Sequence, residues 1–395
     1  MPGVSYEQLM KPIQIYKLVK LLYQQGAFFQ NLMKMRASDA PSIVTYNRTF
    51  GYDTYASTRT MAPVTAPQAP PAYMGLKPVG QNTATLVRTH GAIRIFDEKV
   101  FMSRPVGGRL SEVDAAGRKY VALQLEHLIQ TFRNNREFMI SRMLRGGFGL
   151  KETDGDQYRL CEYKDATATM AVNYGVPAEN KADLGGIIGS GEGWDQASAP
   201  ILEHFMAIGK RMTQKTGYSP RHCILNSNTV APLFLNTTLR SIQGANYSIY
   251  NTFTKKPISP QDAQSSAVYT VVFGGCPMIQ FHVLNEGLVL DEVVPNLANQ
   301  TSDTYFKLFV PDGKAIIIPE SDGRWAGYAA GIEPVREKVS QDVPRNVTGF
   351  GVWRTPEIDP SRYDVKALDN GVPLLYMPGV VHFADVWSSF TSSEA

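Results

Sequence analysis

The chain has 395 residues, 43% of them hydrophobic, and its 39 basic and 36 acidic residues leave a net charge of +3. This length and apolar content predict two or three subdomains with sizeable cores. The near balance of charge excludes a dedicated nucleic-acid-binding domain, because such a domain neutralises phosphates with a dense positive surface. Cys161, Cys223 and Cys276 are too far apart in sequence for a disulfide framework or a CxxC metal site, so buried thiols in a reducing compartment are expected.

The N-terminal part contains neither a membrane span nor a signal peptide. No run of the chain approaches the roughly 20 apolar residues that a spanning helix needs, and a basic region followed by an apolar core is missing. Residues 1–41 are predicted to form an arm with little core of its own. Within it, residues 9–23 carry Ile15, Leu18, Val19 and Leu22 on one helical face. This face could lie on a membrane surface, but docking on a neighbouring chain is the preferred interpretation.

Two β-rich segments flank a proline-rich tract. Ser42–Asn47 and Thr83–Met102 are rich in β-branched and aromatic residues, whereas residues 61–80 read MAPVTAPQAPPAYMGLKPVG. Proline cannot donate a hydrogen bond to a central strand pair, so the tract is predicted to be a loop or an extended tip. The whole predicts a long hairpin that projects from the body, with an ordinary disordered linker as the alternative.

The longest helical pattern covers residues 111–145. Ser111 can cap its N-terminus, and Gly146-Gly147 can end it. Its apolar positions recur at spacings of three and four and predict one buried stripe: Val121, Leu125, Leu128, Phe132, Met139 and Met143. A basic and polar cluster interrupts the stripe: Arg133, Asn134, Asn135, Arg136, Glu137, Arg142 and Arg145. This cluster is interpreted as a solvated helix face, with intersubunit or phosphate-backbone contacts as the alternative.

The middle of the chain alternates strand and helix patterns and predicts an α/β or α+β subdomain. Strands are predicted at 157–163, 167–174, 223–225, 268–272, 277–284 and 288–290, and helices at 199–216 and 228–235. Further on, Leu308–Val310 and Ala315–Ile318 are short β-type runs separated by Pro311-Asp312-Gly313. That tripeptide is typical of a turn, so a hairpin is predicted there.

We find no pattern of residues that indicates catalysis or cofactor binding. The glycines of residues 185–193 match neither nucleotide-binding motif, and a surface connection is expected instead. The six histidines lack metal-ligand spacing, and His222 and Cys223 should point to opposite faces of a strand. Asp154, Asp156 and Asp291-Glu292 fall on predicted turns, where carboxylates usually cap backbone N–H groups. Catalytic, cofactor-binding and metal-binding residues are therefore predicted to be none, and the chain is not expected to be an enzyme.

Taken in order, these segments resemble the major capsid proteins of tailed bacteriophages, of the lambda major-head-protein type with the HK97 fold. The resemblance covers about residues 40–387. It lies in the arm with its proline-rich tip, in RNNREFMISRMLRGG at 133–147, in Trp194-Asp195 followed by Pro200-Ile201-Leu202, in Thr216-Gly217-Tyr218-Ser219-Pro220, and in PDGKAIII with Gly-Arg-Trp at 311–325.

The resemblance implies an α+β HK97-like fold with five parts. These are an N-terminal arm (1–41), an extended β-hairpin called the E-loop (42–105), a P domain with the long spine helix and strands (106–194), an α/β A domain (195–319), and a return to the P domain (320–395). Trp353 and Trp387 would then pack onto the spine helix. Lys34, Arg36 and the arginines of the spine helix are candidates for mild attraction to phosphate.

The implied function is that of a head protein, which forms hexamers and pentamers of an icosahedral shell around double-stranded DNA. Its implied partners are other copies of itself, a separate scaffolding protein, a portal and a possible decoration protein, with non-specific DNA contact and no membrane. It would be assembled in the bacterial cytoplasm and reside in the virion. Crosslinking through Lys77 is not expected. The alternatives are an encapsulin-like shell around a cargo enzyme and, third, a soluble α/β enzyme.

Overall fold

The computed structural model describes residues 27–55, 79–96, 110–153, 157–163, 168–237, 254–255, 266–271, 279–289, 306–335, 345–357 and 362–388. The predicted helix at 9–23, most of the proline-rich tract, Lys77, Cys276, Asp154, Asp156 and Asp291-Glu292 lie outside these residues. The helices are α1 (Phe28–Met33), α2 (Leu110–Met143), α3 (Ile201–Thr216) and α4 (Ser227–Leu235). None of the helices in these ranges is long and apolar enough to cross a membrane.

The described ranges contain twenty strands. In chain order they are β1 (Ile43–Thr45), β2 (Thr49–Tyr55), β3 (Val79–Thr85), β4 (Val87–Phe96), β5 (Gly147–Thr153), β6 (Gln157–Glu162), β7 (Met170–Asn173), β8 (Lys181–Ala182), β9 (His222–Leu225), β10 (Thr254–Lys255), β11 (Ser266–Val271), β12 (Ile279–Leu284), β13 (Gly287–Val289), β14 (Phe306–Leu308), β15 (Lys314–Ile318), β16 (Ala326–Val335), β17 (Arg345–Thr348), β18 (Phe350–Glu357), β19 (Arg362–Leu375) and β20 (His382–Asp385).

The chain divides into two compact units, each assembled from segments that are distant in sequence. The first comprises residues 1–50, 83–140 and 327–374, and the second residues 51–82, 141–326 and 375–395. Because each unit collects several segments, the chain must pass from one unit to the other more than once.

The first unit is built on a six-stranded sheet around β19. β18 and β4 both run antiparallel to β19, so that Lys366 pairs with Trp353 of β18 and with Ala92 of β4. β16 also pairs with β19, and β17 and the short parallel strand β1 pair with β16. Antiparallel sheets of this kind commonly bury one face and leave the other to solvent.

Helix α2 covers one face of this sheet. The contact is apolar and consists of Val121, Leu125, Leu128, Ile129 and Phe132 of the helix with Ile95, Val365 and Ala367 of the strands. The predicted stripe is confirmed, because all six of its residues are at most 5% exposed. The helix also ends within two residues of the predicted limit, at the turn before Gly146, whose φ of 106° suits glycine.

Residues 27–41 contribute to the core of the first unit. Phe28, Phe29, Met33 and Met35 are each at most 4% exposed. Ser42 then fixes the start of β1, because its backbone N–H donates to the carbonyl of Tyr328 at 2.8 Å. This part of the predicted arm is therefore packed into the fold.

The second unit is built on a seven-stranded sheet of order β10-β11-β12-β9-β15-β20-β8. β9 and β12 are parallel, whereas β15 runs antiparallel to both β9 and β20. Helix α3 begins after Pro200 and ends at Gly217, which has a φ of 82°, as the breakers in the sequence predicted. It packs Phe205, Ile208 and Met212 against Phe281 and Ile317 of the sheet.

The predicted hairpin at Leu308–Ile318 is wrong. The turn itself forms, because Lys314 donates its backbone N–H to the carbonyl of Pro311 and Gly313 has a φ of 68°. Its two arms enter different sheets, however: β14 pairs with β13, whereas β15 pairs with β9 and β20. Every residue of β15 is buried. The strand therefore lies in the interior of a sheet, between two neighbours, and does not form the two-stranded hairpin that the turn residues predicted.

The predicted arms of the proline-rich hairpin are wrong, because Ser42–Asn47 contributes β1 and Thr83–Met102 contributes β4 to the six-stranded sheet. A hairpin still flanks the tract, but it is made of β2 and β3. β2 and β3 form a two-stranded sheet, and Thr49 lies beside Thr85, with 3.3 Å between their hydroxyl oxygens. Further out, the amide of Asn82 donates to the hydroxyl of Tyr52 at 3.1 Å. The 23 residues between β2 and β3, which include the proline-rich tip, lie outside the described residues.

Candidate functional site

The titratable residues that the sequence analysis considered for catalysis are mostly buried. His204, His222, His282 and His382 are each at most 4% exposed, whereas His90 and His127 lie on the surface. Burial lowers the pKa of all four, to about 3 for His282 and to about 4 for His382. Within the described ranges, no group of three or more His, Cys, Asp or Glu side chains is placed to hold a metal ion.

His222 and Cys223 point to opposite faces of β9, as predicted. Cys223 lies in the apolar core under α3, where burial raises the pKa of its thiol well above the usual value. His222 instead contacts His282 and Glu320. A buried neutral thiol is a poor nucleophile, so this pair lacks the chemistry of a Cys–His catalytic site. Cys161 is buried as well.

The glycine-rich segment 185–193 is largely exposed, as predicted for a surface connection, and becomes buried at Gly193, where it meets the packed Trp194. Trp194 is fully buried and donates its indole N–H to Nδ1 of His204 at 3.2 Å. A Cβ atom on Gly193 would lie only 2.2 Å from the backbone nitrogen of Ser388, so glycine is required there. Asp195 accepts the backbone N–H of Ser388 at 2.7 Å. The segment thus holds the C-terminal end of the described chain.

Three members of the polar cluster on α2, Arg136, Glu137 and Arg142, are buried, so the predicted solvated face is wrong for them; the other four are partly exposed. Arg136 is 2% exposed and forms a two-point ion pair with Asp369 of β19, with nitrogen–oxygen distances of 2.6 and 3.1 Å. Its guanidinium also lies 4.2 Å from the ring centroid of Tyr328. A guanidinium bound in this way cannot contact DNA, so the phosphate-binding interpretation is wrong for Arg136.

The same correction applies to Arg142. It is 1% exposed, pairs with Glu162 of β6, and donates to the carbonyl of Phe309 at 3.1 Å. Arg145 lies 3.6 Å from the same Glu162 carboxylate. Outside the helix, Arg36 pairs with Asp39 at 3.3 Å but remains 41% exposed, so it stays available to solvent.

Glu137 anchors the chain where it enters the first unit. Its side chain is buried, and its carboxylate accepts the backbone N–H groups of Phe29 and, at 3.1 Å, Gln30. The amide of Gln30 donates to the carbonyl of Arg133 at 2.8 Å. The first N–H groups of a helix have no hydrogen-bond partner within that helix. A carboxylate at this position accepts hydrogen bonds from them, and its negative charge is attracted to the positive end of the helix dipole. The contact holds the first turn of α1 against α2.

The sheet face opposite α2 carries charged and aromatic side chains that are at least partly exposed. Phe350 and Val352 point toward the helix, so Trp353 points away from it, and its ring stacks on His90 with 5.7 Å between centroids and 15° between planes. The prediction that Trp353 packs onto the spine helix is therefore wrong. The prediction for Trp387 is also wrong, because it packs against the core beneath α3.

Two ion pairs flank this stacked pair on the open face. Arg88 of β4 contacts both carboxylate oxygens of Glu333, at 2.8 and 2.9 Å, and Arg94 lies 3.3 Å from Asp364. Both arginine side chains are at least half exposed. The hydrogen bond to Glu333 raises the pKa of Arg88, so the Arg88 side chain keeps its positive charge. The face presents fixed charges and flat rings, which suit contact with another protein surface better than chemistry on a small molecule.

Comparison with known proteins was informative only at the level of structure. No family model and no curated protein sequence matches the chain. Among solved structures, the putative capsid protein of a prophage of E. coli CFT073 matches at a TM-score of 0.56 with 10% identity, over 95% of this chain and 99% of that one. Weaker matches include the mature capsid of bacteriophage PhiM1, at a TM-score of 0.42 with 8% identity over 91% and 87% of the two chains. The encapsulin of a holo-SrpI complex from Synechococcus elongatus PCC 7942 matches at 0.35 with 9% identity over 89% and 88%.

The first of these matches defines the class of fold. It spans nearly the full length of both chains, so the likeness is to the whole fold and not to one part of it. The chain has an HK97-like α+β fold, like that of this putative prophage capsid protein. At 10% identity this similarity establishes the fold, and the role of individual residues must be argued from their own contacts.

Proposed function

We propose that the chain is the major capsid protein of a tailed bacteriophage and assembles into the hexamers and pentamers of an icosahedral shell that encloses double-stranded DNA. The observation that supports this most directly is the match over 95% of the chain and 99% of a putative prophage capsid protein. A shell subunit needs packed cores and extended elements that can contact neighbours; the described residues contain two compact units and the β2–β3 hairpin.

The parts of the chain take the roles that the HK97-like fold assigns to them. Residues 42–105 form the E-loop, residues 106–194 and 320–395 the P domain, and residues 195–319 the A domain, with residues 1–41 as an arm. The E-loop hairpin and the open face of the first unit's sheet supply the surfaces for neighbouring copies. Individually weak contacts suffice in a closed shell because symmetry repeats them.

The charge distribution supports a container that holds DNA without binding it tightly. The net charge of the chain is only +3, and Arg136 and Arg142 are already paired with Asp369 and Glu162. Tight binding to duplex DNA would require many available cations, since each neutralised phosphate adds to the affinity. Contact with the packaged genome is therefore weak and non-specific, and the chain acts without catalysis.

The other partners follow from the same role. The subunit contacts copies of itself, a separate scaffolding protein, a portal and, where present, a decoration protein. It is assembled in the cytoplasm of a bacterial host and ends in the virion.

The test is to express the chain alone and together with its neighbouring genes, and to analyse the lysates by size-exclusion chromatography and electron microscopy. The proposal predicts closed shells built of hexamers and pentamers, at least when the neighbouring genes are present. A chain that stays monomeric under both conditions would contradict it. Shells that consistently contain one co-purified enzyme would favour an encapsulin-like compartment instead.

A further inference from the structure

Three side chains of the second unit form a hydrogen-bonded line from the interior to the surface. His282 on β12 and His222 on β9 are 2% and 4% exposed, and 2.9 Å separates Nε2 of His282 from Nδ1 of His222. The other ring nitrogen of His222, Nε2, lies 3.1 Å from a carboxylate oxygen of Glu320. Glu320 follows β15 by two residues, and its side chain is 66% exposed.

The chemistry of the three groups fixes the direction of every hydrogen bond in this line. An ionised carboxylate only accepts, so Nε2 of His222 must carry the proton that faces Glu320. A neutral imidazole has one N–H, so Nδ1 of His222 is then the acceptor, and Nε2 of His282 donates to it. At neutral pH the line runs from His282 through His222 to Glu320, with one tautomer for each ring.

This arrangement has room for one added proton. A proton on Nδ1 of His222 gives an imidazolium that donates to Glu320, while His282 presents Nε2 as acceptor after its own proton moves to Nδ1. A second proton would place two cations 2.9 Å apart in the interior, which is strongly unfavourable. Among the described residues, Arg221 also faces the line, with its Nε 4.0 Å from the Glu320 carboxylate. Burial lowers the pKa of His222, and the charge of Arg221 lowers it further.

Glu320 belongs to residues 319–324, which connect β15 to Trp325 and β16. Besides the Arg221–Glu320 pair, two further contacts tie this connection to the second unit without involving the histidines. The indole N–H of Trp325 donates to the carbonyl of Glu320 at 3.0 Å, and the hydroxyl of Tyr218 donates to Asp322 at 3.0 Å. The His222–Glu320 contact is thus the one of these ties whose strength depends on a histidine proton.

We propose that His222 is a proton-operated latch for residues 319–324: uptake of one proton by the His222–His282 pair converts the hydrogen bond to Glu320 into an ion pair and holds this connection more firmly. Burial lowers the pKa of His222, so the latch responds below the usual range of histidine and is off at neutral pH. The inference concerns the subunit itself and holds whether or not the subunit forms a shell.

The test is hydrogen exchange of the full-length chain, followed by mass spectrometry on peptides that cover residues 319–325. Rates are corrected for the intrinsic pH dependence of exchange and are compared between about pH 8 and about pH 5. The Glu320 partner of this pair is largely exposed, and ion pairs screened by water in this way are worth up to about 1 kcal/mol, so exchange in the wild-type connection should slow by about two- to five-fold on acidification. Size-exclusion chromatography at each pH keeps the assembly state constant and separates failure of the latch from failure of the shell proposal.

Two variants make the result specific. Glu320→Gln keeps a hydrogen-bond acceptor at an exposed position but cannot form the ion pair, so the slowing should disappear. Asp322→Asn weakens the Tyr218 tie and serves as the matched control: exchange should be faster at both pH values while the two- to five-fold slowing remains. A wild type without the slowing, or a Glu320→Gln variant that still shows it, would overturn the proposal.

Discussion

Acid should destabilise the second unit through its buried histidines, and His382 provides the clearest case. This side chain is fully buried on β20, opposite Ile317 of β15, and burial lowers its pKa from 6.5 to about 4. The unfolded chain therefore binds the proton more readily than the folded chain. Stability from this residue is fully present above about pH 6.5 and is lost as the pH falls toward about 4.

The magnitude follows from the two pKa values. At about pH 4.5 the unfolded imidazole is almost fully protonated, whereas the folded one is mostly neutral. With about 1.4 kcal/mol for each pKa unit, the folded state loses about 2.5 kcal/mol at this pH relative to neutral pH. Such a loss is a large fraction of the stability of an ordinary domain.

The assay is urea unfolding of the isolated subunit at about pH 7.5 and about pH 4.5, for the wild type and for His382→Leu. Leucine has a similar volume and does not titrate, so the variant should lose about 2.5 kcal/mol less than the wild type between these pH values. Taking the difference between the two pH values cancels the change in packing. His127→Leu, on the exposed surface of α2, should behave like the wild type. If His382→Leu loses as much stability as the wild type, burial of a neutral His382 is not a source of the acid sensitivity.

Three further substitutions test the anchors of the fold and the assembly arm. Arg136→Met should lower the free energy of unfolding, measured by urea unfolding, by about 3–5 kcal/mol, because Asp369 is left charged and unpaired in the interior. The double variant with Asp369→Leu should regain much of this stability, because no buried charge then remains unpaired. Glu137→Gln removes the negative charge of the carboxylate that accepts the N–H groups of α1. Limited proteolysis should then cut within residues 27–33 faster than in the wild type, and equal rates would contradict the anchoring role. Replacement of residues 61–77 by a short Gly-Ser linker should abolish shells in electron micrographs while the subunit keeps its thermal unfolding transition. Normal shells from this variant would exclude the tip from assembly.

The long helix shows how far pattern alone can lead. Its apolar stripe from Val121 to Met143 repeats at helical spacing, and the structure buries every member of it. The same pattern could not assign the charged residues among them, because an arginine at a helical position reads as solvated unless its partner is known. The partner of Arg136 is Asp369, 233 residues later in the chain. A buried ion pair of this kind depends on a contact that no local window contains.

The turn residues at 311–313 predicted a turn correctly but could not predict which strands would pair. Pro311-Asp312-Gly313 does form a turn, and the strands on either side of it were both expected. Pairing depends on which other strands compete for β15, and β9 and β20 occupy both of its edges. The placement of Trp353 shows the same limit. Alternation along β18 decides that Phe350 and Trp353 face opposite ways, but only the position of α2 decides which of the two is covered.

The sequence by itself determined the three longer helices, most strands of the middle of the chain and the absence of recognisable catalytic motifs, because those features depend on backbone propensity, capping and the spacing of side chains within a few turns or strands. Only the tertiary structure decided which strands are neighbours, which charges are paired in the interior, and that His282, His222 and Glu320 form one line. These are contacts between segments up to a few hundred residues apart, and their energies arise when folding removes water from groups that are far apart in the chain.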